Sequence, residues 1–172
     1  MRGINVGGRA KLPMRELVRC MAEAGCADVR TYIQSGNLVF THDAAPAAIS
    51  ERIGAAIEAG HGFRPDLLLL APDELAGIMS ANPFPEAATA PRSLHAFVMG
   101  QPPPAPDLAA LERLKAPTER LALIGRILYL HAPDGIGRSK LAAQAERALG
   151  VPATARNWRT ITAVAALAGI VD

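Results

Sequence analysis

The chain has 172 residues, of which half are apolar and a fifth charged, a composition typical of a globular protein with one ordinary domain or two small ones. Aromatic residues make up only 4%, so few rings are available on which nucleic-acid bases could stack. Residues 1–40 hold six basic and three acidic side chains, residues 41–112 three and nine, and residues 113–172 nine and four. If the two ends of the chain meet in space, they form one basic face.

The sequence also indicates in which cellular compartment the protein is found and whether it binds a metal or a cofactor. No apolar run reaches the length of a transmembrane helix, and the opening MRGINVGGRAK is too polar for a signal peptide, so we expect a cytoplasmic protein without a membrane partner. Cys20 and Cys26 follow neither a CxxC nor a zinc-ligand spacing, which favours two reduced thiols. The four histidines are scattered without ligand spacing. We therefore expect neither a metal nor a cofactor.

The first half of the chain predicts a helix, a strand, a tight turn, a strand and a helix, in that order. MRELVRCMAEAG has apolar residues at helical spacing. DVRTYIQSGNLVF predicts two strands around a Ser35-Gly36-Asn37 turn. PAAISERIGAAIEAG repeats isoleucine every four residues, which predicts a helix that Gly60 should end. FRPDLLLLAP then predicts a buried strand over residues 67–70.

The second half repeats this order after two additional elements. PDELAGIMS predicts a short helix, and SLHAFVMG predicts a strand. QPPPAP is a stiff linker into the helix DLAALERLK, and ERLALIGRILYLHAP predicts a hairpin that turns at Gly125-Arg126. SKLAAQAERALG and RNWRTITAVAALAGI predict the last two helices.

The shared order of elements, at 14–60 and again at 107–149, predicts the fold class. It matches the split βαβ arrangement of ferredoxin-like domains, because the first copy is followed by a strand and the second is preceded by one. We therefore expect an α+β protein with two tandem ferredoxin-like halves, residues 1–71 and 72–172. Each half should have an antiparallel sheet with helices packed on one face, and the second half adds a C-terminal helix.

The first strand of the first half is the weak element of this prediction. Only Met1 to Val6 is available for it, and Gly3 and Asn5 are weak strand formers. Either the true start of the protein lies upstream, or the first sheet has a short, frayed strand.

Six motifs carry a resemblance to a known family: RGINVGG, KLPM, RTYIQSGNLVF, NPF, PDGIGRSKL and TARNWRT. Together they closely resemble a bacterial family known only as domain of unknown function 1697, nearly end to end from Arg2 to about Thr162. The resemblance implies two ferredoxin-like halves, usually with several apolar residues ahead of the Arg-Gly-Ile-Asn motif. It implies no established reaction, ligand or cofactor.

The stretch HAPDGIGRSKL is the strongest candidate site. A glycine-rich turn before a helix exposes backbone N–H groups that can bind an anion, and Arg138 and Lys140 would add positive charge. The glycine spacing is not that of a P-loop, and adjacent Ser139 and Lys140 point too far apart for a catalytic dyad. The alternative is structural, with Ser139 as the helix cap and the glycines shaping the turn.

Two other motifs supply candidates. In YIQSGNLVF, Tyr32 and Gln34 should share a strand face that could bind a ligand, although turn chemistry alone explains Gly36 and Asn37. In TARNWRT, Thr154 should cap the last helix. The basic residues that follow it would then lie in the first turns of that helix, where they oppose the helix dipole. The only tryptophan, in the same motif, should anchor the last helix onto the first half.

These observations leave three classes of function open. The first is a protein that binds a small anionic or phosphorylated ligand in a basic cleft between the halves, where Arg2, Lys140 and Arg156 meet. Nucleic acid is a weaker partner, because the strands offer few aromatics. The second is an enzyme of unknown reaction that uses the same polar cluster, although no His–carboxylate, Cys–His or paired-carboxylate arrangement is readable. The third is a structural or oligomeric protein. The candidate ligand-binding residues are Arg2, Asn5, Gln34, Ser35, Asn37, Arg138, Ser139, Lys140, Arg156 and Asn157.

Overall fold

The structure is a computed structural model that describes residues 1–5 and 10–170. Its helices are α1 (Met14–Glu23), α2 (Pro46–His61), α3 (Pro72–Ser80), α4 (Leu108–Leu114), α5 (Lys140–Leu149) and α6 (Trp158–Leu167). Its strands are β1 (Ala27–Tyr32), β2 (Asn37–Thr41), β3 (Leu94–Met99), β4 (Arg120–Ile124), β5 (Ile127–His131) and β6 (Ala153–Asn157), and Pro85–Thr89 and Ile136–Arg138 form short 3-10 helices. The α+β class with antiparallel sheets is confirmed.

The chain forms two compact units. The first consists of the described residues of Met1–Pro72 with those from Ala163 onward, and the second is Asp73–Thr162. Each unit has its own core of aliphatic side chains, as the scarcity of aromatic residues requires. Across the described ranges, no helix is both long enough and apolar enough to span a bilayer.

The first unit packs two helices against a β-hairpin. β1 and β2 pair antiparallel, and the inward-facing Leu38 and Phe40 pack against the core. α1 begins after Pro13, and α2 places the predicted isoleucines in the same core. Cys20 and Cys26 are free and buried there, and burial raises the pKa of both thiols.

Two predictions for this unit are wrong in detail. α2 continues past Gly60 and ends at Gly62, whose φ of 72° lets its backbone N–H donate to the carbonyl of Glu58. Residues 67–70 form no strand, and in the described part of the chain the pairing next to them is a single bridge between Arg2 and Asp66. The chain leaves the extended conformation directly after Arg2, because Gly3 has a φ of 73°.

An arginine lies across α2 in this unit. The Arg64 guanidinium forms ion pairs with Glu51 at 2.6 Å and Glu58 at 3.3 Å, and Gly54 lies directly beneath it. A Cβ atom at position 54 would stand 2.8 Å from the Arg64 Nε, so alanine there would displace the guanidinium from its present position.

The second unit is built on a four-stranded antiparallel sheet in the order β4-β5-β3-β6. Along the chain, α4 connects β3 to β4, a two-residue turn connects β4 to β5, and α5 connects β5 to β6. The predicted hairpin at Gly125-Arg126 is confirmed, with Ile124 and Ile127 as its last pair. β3 lies inside the sheet, and all six of its residues are buried.

The fourth strand of this sheet corrects the prediction for TARNWRT. Residues 153–157 pair with β3 as β6, so Thr154 lies within a strand and does not cap the last helix. The cap is Asn157, whose Oδ1 accepts a hydrogen bond from the Thr160 backbone N–H at 2.9 Å. α6 therefore begins later than predicted, at Trp158.

The prediction that helices cover only one face of each sheet is wrong for the second unit. Leu128 and Leu130 pack in the core that α4 and α5 contribute to. Tyr129 points to the other face, where its hydroxyl donates to the Ile78 carbonyl of α3 at 2.8 Å, and burial raises its pKa to about 12. A strand buried along its whole length, like β3, is typical of a sheet covered on both faces.

Candidate functional site

The first turn of α5 lies at one end of the second sheet. β5 ends at His131 opposite Leu94, the first residue of β3. α5 runs to the opposite end, because the Ala153 backbone N–H, at the start of β6, donates to Glu146 at 2.9 Å. The motif GRSKL therefore lies where β5 and β6 end and β3 begins. We call this the α5 end of the sheet.

The glycine-rich turn builds a capped helix start. Gly135 has a φ of 94°, and the next residues form the 3-10 helix that leads into α5. Ser139 is buried, and its Oγ accepts from the Ala142 backbone N–H at 2.9 Å, so the structural prediction for Ser139 is confirmed. The backbone N–H groups of Lys140 and Leu141 belong to the first turn and have no intrahelical partner.

Two cations flank this first turn. The side chains of Arg138 and Lys140 are exposed, and neither forms a hydrogen bond or ion pair with any residue in the described part of the chain. The acidic side chain nearest in sequence, Asp134, accepts a hydrogen bond from Thr118 at 2.6 Å. The charge at the start of α5 is therefore available to an external anion.

A polar pair on the neighbouring strands lies at the same end of the sheet. His95 on β3 is directly opposite Asn157 on β6, which places their Cβ atoms about 4.5–5.5 Å apart. Both side chains point toward the helix face, because each is two residues away from a core residue on its own strand, Phe97 or Ala155. His95 is only 6% exposed, and its Nδ1 has no hydrogen-bond partner among the described residues. Burial lowers the pKa of His95, and the backbone at Ser93 opposes this shift.

Arg156 lies one residue before Asn157 and points to the other face of the sheet. It pairs with Ala96 on β3, and its Nη1 donates to the Ala155 carbonyl at 2.9 Å. Burial lowers the pKa of this guanidinium, which nevertheless stays charged at neutral pH. Arg156 and Lys140 are therefore at the same end of the sheet but on opposite faces.

The predicted residues of the first unit gather around the β1–β2 turn. The Asn5 Nδ2 donates to the carbonyls of Leu12 at 2.7 Å and Gln34 at 2.9 Å, while its Oδ1 accepts from the Leu12 backbone N–H at 2.8 Å. Asn37 donates to the Ser35 Oγ at 3.0 Å within the turn. These amides hold the backbone, so Asn5 and Asn37 act as structural residues in this geometry.

The predicted strand face of Tyr32 and Gln34 is wrong. β1 ends at Tyr32, and Ile33 has a φ of 49°, which turns the chain before Gln34. The Gln34 side chain is exposed in the turn. Arg2 forms an ion pair with Asp66 at 3.3 Å. The candidate residues of the second unit thus do not form one group, since Arg156 lies on the sheet face opposite to Lys140. The meeting of Arg2 with either cation stays a prediction. The last three residues of the RGINVGG motif, Val6, Gly7 and Gly8, lie outside the described residues.

A further polar cluster was missed by the sequence analysis. Arg120 on β4 forms an ion pair with Glu86 and lies 3.1 Å from the His131 Nδ1, while its guanidinium carbon is 4.7 Å from the centre of the Phe84 ring. These four residues come from three separate stretches of sequence, so no spacing rule identifies them. The NPF motif was the only signal, since Asn82 closes a turn that places Phe84.

Metal-ligating side chains do not group in the described ranges. No three His, Cys, Asp or Glu side chains come together in an arrangement that could hold a metal ion there. The α5 end therefore offers charge and hydrogen-bond donors, which suit the binding of an anion.

Comparisons with known proteins agree with this fold. The family model for Protein of unknown function (DUF1697) matches residues 1–129. The solved structure of the conserved bacterial protein SP0830 from Streptococcus pneumoniae is similar, with a TM-score of 0.65 at 23% identity, over 97% of this chain and 94% of that one. Among curated proteins, no relative matches the chain.

Proposed function

We propose a function from the site itself, because the chain belongs to the DUF1697 family, whose description is that of a protein of unknown function. The proposed function is the binding of a small anionic ligand, with a phosphorylated metabolite as the expected class, at the first turn of α5. The observation that carries this proposal is the pair of exposed cations, Arg138 and Lys140, without partners in the described structure.

Three features support an anion over other ligands. The free backbone N–H groups of Lys140 and Leu141 point out of the positive end of the α5 dipole. The adjacent side chains add two full positive charges. The His95 Nδ1, at the same end of the sheet, is a buried polar atom without a hydrogen-bond partner among the described residues, which a polar ligand could satisfy. A phosphate group, with its several acceptor oxygens, could accept from the backbone N–H groups and from both cationic side chains at once.

The proposal is tested by binding of inorganic phosphate and of a nucleoside monophosphate, measured by calorimetry and by thermal shift. Either ligand should raise the melting temperature, and the rise should shrink in high salt because the charges are exposed. Lys140→Ala should weaken binding by roughly tenfold, the value of one charge-assisted hydrogen bond.

The matched control is Arg147→Ala, which removes an exposed cation from the last turn of the same helix and should leave binding unchanged. Equal affinity of Lys140→Ala and the parent protein, or equal loss in the two variants, would contradict a site at the first turn. Turnover in a hydrolase or transferase panel, lost in Lys140→Ala, would support the enzyme hypothesis instead.

The wider hypothesis places the site in a cleft to which the first unit contributes Arg2, Asn5, Gln34, Ser35 and Asn37. Gln34→Ala is the best test of it, because the Gln34 side chain is exposed and only its backbone carbonyl holds Asn5. Weaker phosphate binding in Gln34→Ala at unchanged stability would support the cleft. Unchanged binding would restrict the site to the second unit.

We also infer that the second unit is a ferredoxin-like domain. The order β4-β5-β3-β6, with α4 and α5 as the two connections on one face, supports this assignment. The hairpin and two helices of the first unit support a reduced copy of the same arrangement, in which the first and fourth strands are represented by the Arg2–Asp66 bridge. This reading preserves the hypothesis of a tandem duplication.

A further inference from the structure

The cluster of Phe84, Glu86, Arg120 and His131 fastens a surface segment to the second sheet. We call it the Arg120 cluster. Arg120 on β4 is bonded at once to Glu86 of the 3-10 helix Pro85–Thr89 and to His131 on β5. Its guanidinium lies over the Phe84 ring, and that ring is 6.4 Å from the His131 ring, centre to centre. One arginine therefore ties residues 82–89 to the edge of the sheet.

The contact between Arg120 and His131 requires a particular protonation state. A guanidinium carries only hydrogen-bond donors, so the His131 Nδ1, 3.1 Å from the Arg120 Nη2, must accept with its lone pair. The ring is then neutral and its proton is on Nε2. Protonation of Nδ1 would place an N–H group and a second positive charge against the guanidinium, which removes the hydrogen bond and adds repulsion.

We propose that His131 is a pH-sensitive latch that holds residues 82–89 against the sheet when neutral and loosens them when protonated. The proposal stands on the contacts of the Arg120 cluster and is independent of the anion site at α5.

The charges that face His131 set the pH range of the latch. Arg120 comes from β4 and Glu86 from the 3-10 helix, whereas Leu94 on β3 and Phe84 are uncharged. Burial and then Arg120 lower the pKa of His131, and Glu86 opposes this, so the neutral ring persists below the ordinary value of about 6.5. The hydrogen bond from Arg120 lowers the pKa of Glu86, which therefore stays ionised while His131 titrates.

The loosening should be local. Phe84 and Ala87 are buried, and the Phe84 backbone N–H donates to the Asn82 Oδ1 at 3.0 Å. These contacts do not depend on the charge of His131. Protonation should therefore speed the opening of residues 82–89 without unfolding the sheet.

Hydrogen exchange measured by mass spectrometry at pH 7.5 and pH 5.0, corrected for intrinsic rates, tests the latch. In the parent protein the amides of residues 82–89 should exchange several-fold to about tenfold faster at pH 5.0, the factor expected for the loss of one hydrogen bond. Peptides from β3 should show no such change. Unchanged protection of residues 82–89 at the lower pH would overturn the proposal.

Two variants separate the proton from the packing. His131→Asn can place an amide oxygen near the position of Nδ1, an acceptor that does not titrate, so its protection should be the same at both pH values. In His131→Leu, which has no acceptor at this position, the amides of residues 82–89 should exchange fast at both pH values. If the residues 82–89 of His131→Asn lose as much protection at pH 5.0 as those of the parent protein, a group other than His131 causes the pH dependence. Should His131→Leu fail to fold, the comparison of the parent with His131→Asn still decides. A nitrogen NMR spectrum showing the Nδ1–H form of His131 would also overturn the latch.

Discussion

At the residue scale, Asn5 and Gly36 explain how the first unit holds an N-terminal segment for which a single bridge is found among the described residues. Asn5 makes three side-chain hydrogen bonds to backbone atoms, which join the segment to the β1–β2 turn and to the start of α1. Gly36 has a φ of 76° and lies under Ile4, whose Cδ1 would be 2.7 Å from an added Cβ. Turn chemistry predicted a glycine-tolerant position at 36. It could not predict Ile4, which approaches from a distant part of the sequence.

Gly36→Ala should therefore destabilise the first unit. The new side chain would be held in the left-handed region, at a cost of about 1–2 kcal/mol, and its Cβ would displace the buried Ile4. Urea denaturation measures the change. The control is Gly77→Ala in α3, where no atom lies within 4 Å of the added Cβ and alanine should stabilise by about 0.4–1 kcal/mol. Equal effects of the two substitutions would argue against a special role for position 36.

At the element scale, boundaries were predicted well where a single residue decides them and poorly where pairing decides them. The sequence identified Ser139 as the α5 cap and Gly125-Arg126 as the hairpin turn, because both follow from local backbone chemistry. It missed β6, whose residues ATARN offer only the small Ala153 and Ala155 as an apolar alternation and which pairs with β3. It also missed that α3 covers the second face of the sheet, a contact that rests on Tyr129 and Ile78.

Ser139→Ala tests the cap directly. It should lower the free energy of unfolding of the second unit by about 1 kcal/mol, since the Ala142 N–H loses its partner near a buried side chain. Ser139→Asp should restore most of this, because a carboxylate also accepts from the backbone and complements the helix dipole. The readout is urea denaturation followed through the fluorescence of Trp158, which is buried in the same unit. An unchanged midpoint in Ser139→Ala would mean that the cap contributes no stability.

At the scale of the whole molecule, the division into two compact units means that the free energy of unfolding should be measured for each unit separately. The charge pattern along the chain predicted cations at both ends, and the structure leaves Arg138 and Lys140 unpaired within the residues it describes. No sequence rule could anticipate the environments of His95 and His131, because burial and charge around them come from several strands. Both histidines have lowered pKa values, and both lie in the second unit.

The stability of the second unit should therefore fall as the pH drops. A histidine whose folded pKa lies below its unfolded value of about 6.5 binds more protons when unfolded, so its contribution is complete above pH 6.5 and declines below it. Denaturation at pH 7.0 and pH 5.0, followed by Trp158 fluorescence, should show this loss. His95→Leu should reduce the loss, because the buried imidazole is replaced by a side chain that does not titrate. If His95→Leu loses as much stability between pH 7.0 and pH 5.0 as the parent protein does, His95 is excluded as the cause of the loss.

The Arg64 side chain that lies across Gly54 has a consequence for natural variation in this family. A methyl group at position 54 would push the guanidinium away from Glu51 and Glu58, whereas a short side chain at position 64 would leave room for it. Positions 54 and 64 should therefore change together among homologues. Family members with a larger residue in the middle of α2 should have exchanged the arginine, and the two acidic residues with it, for smaller or uncharged ones.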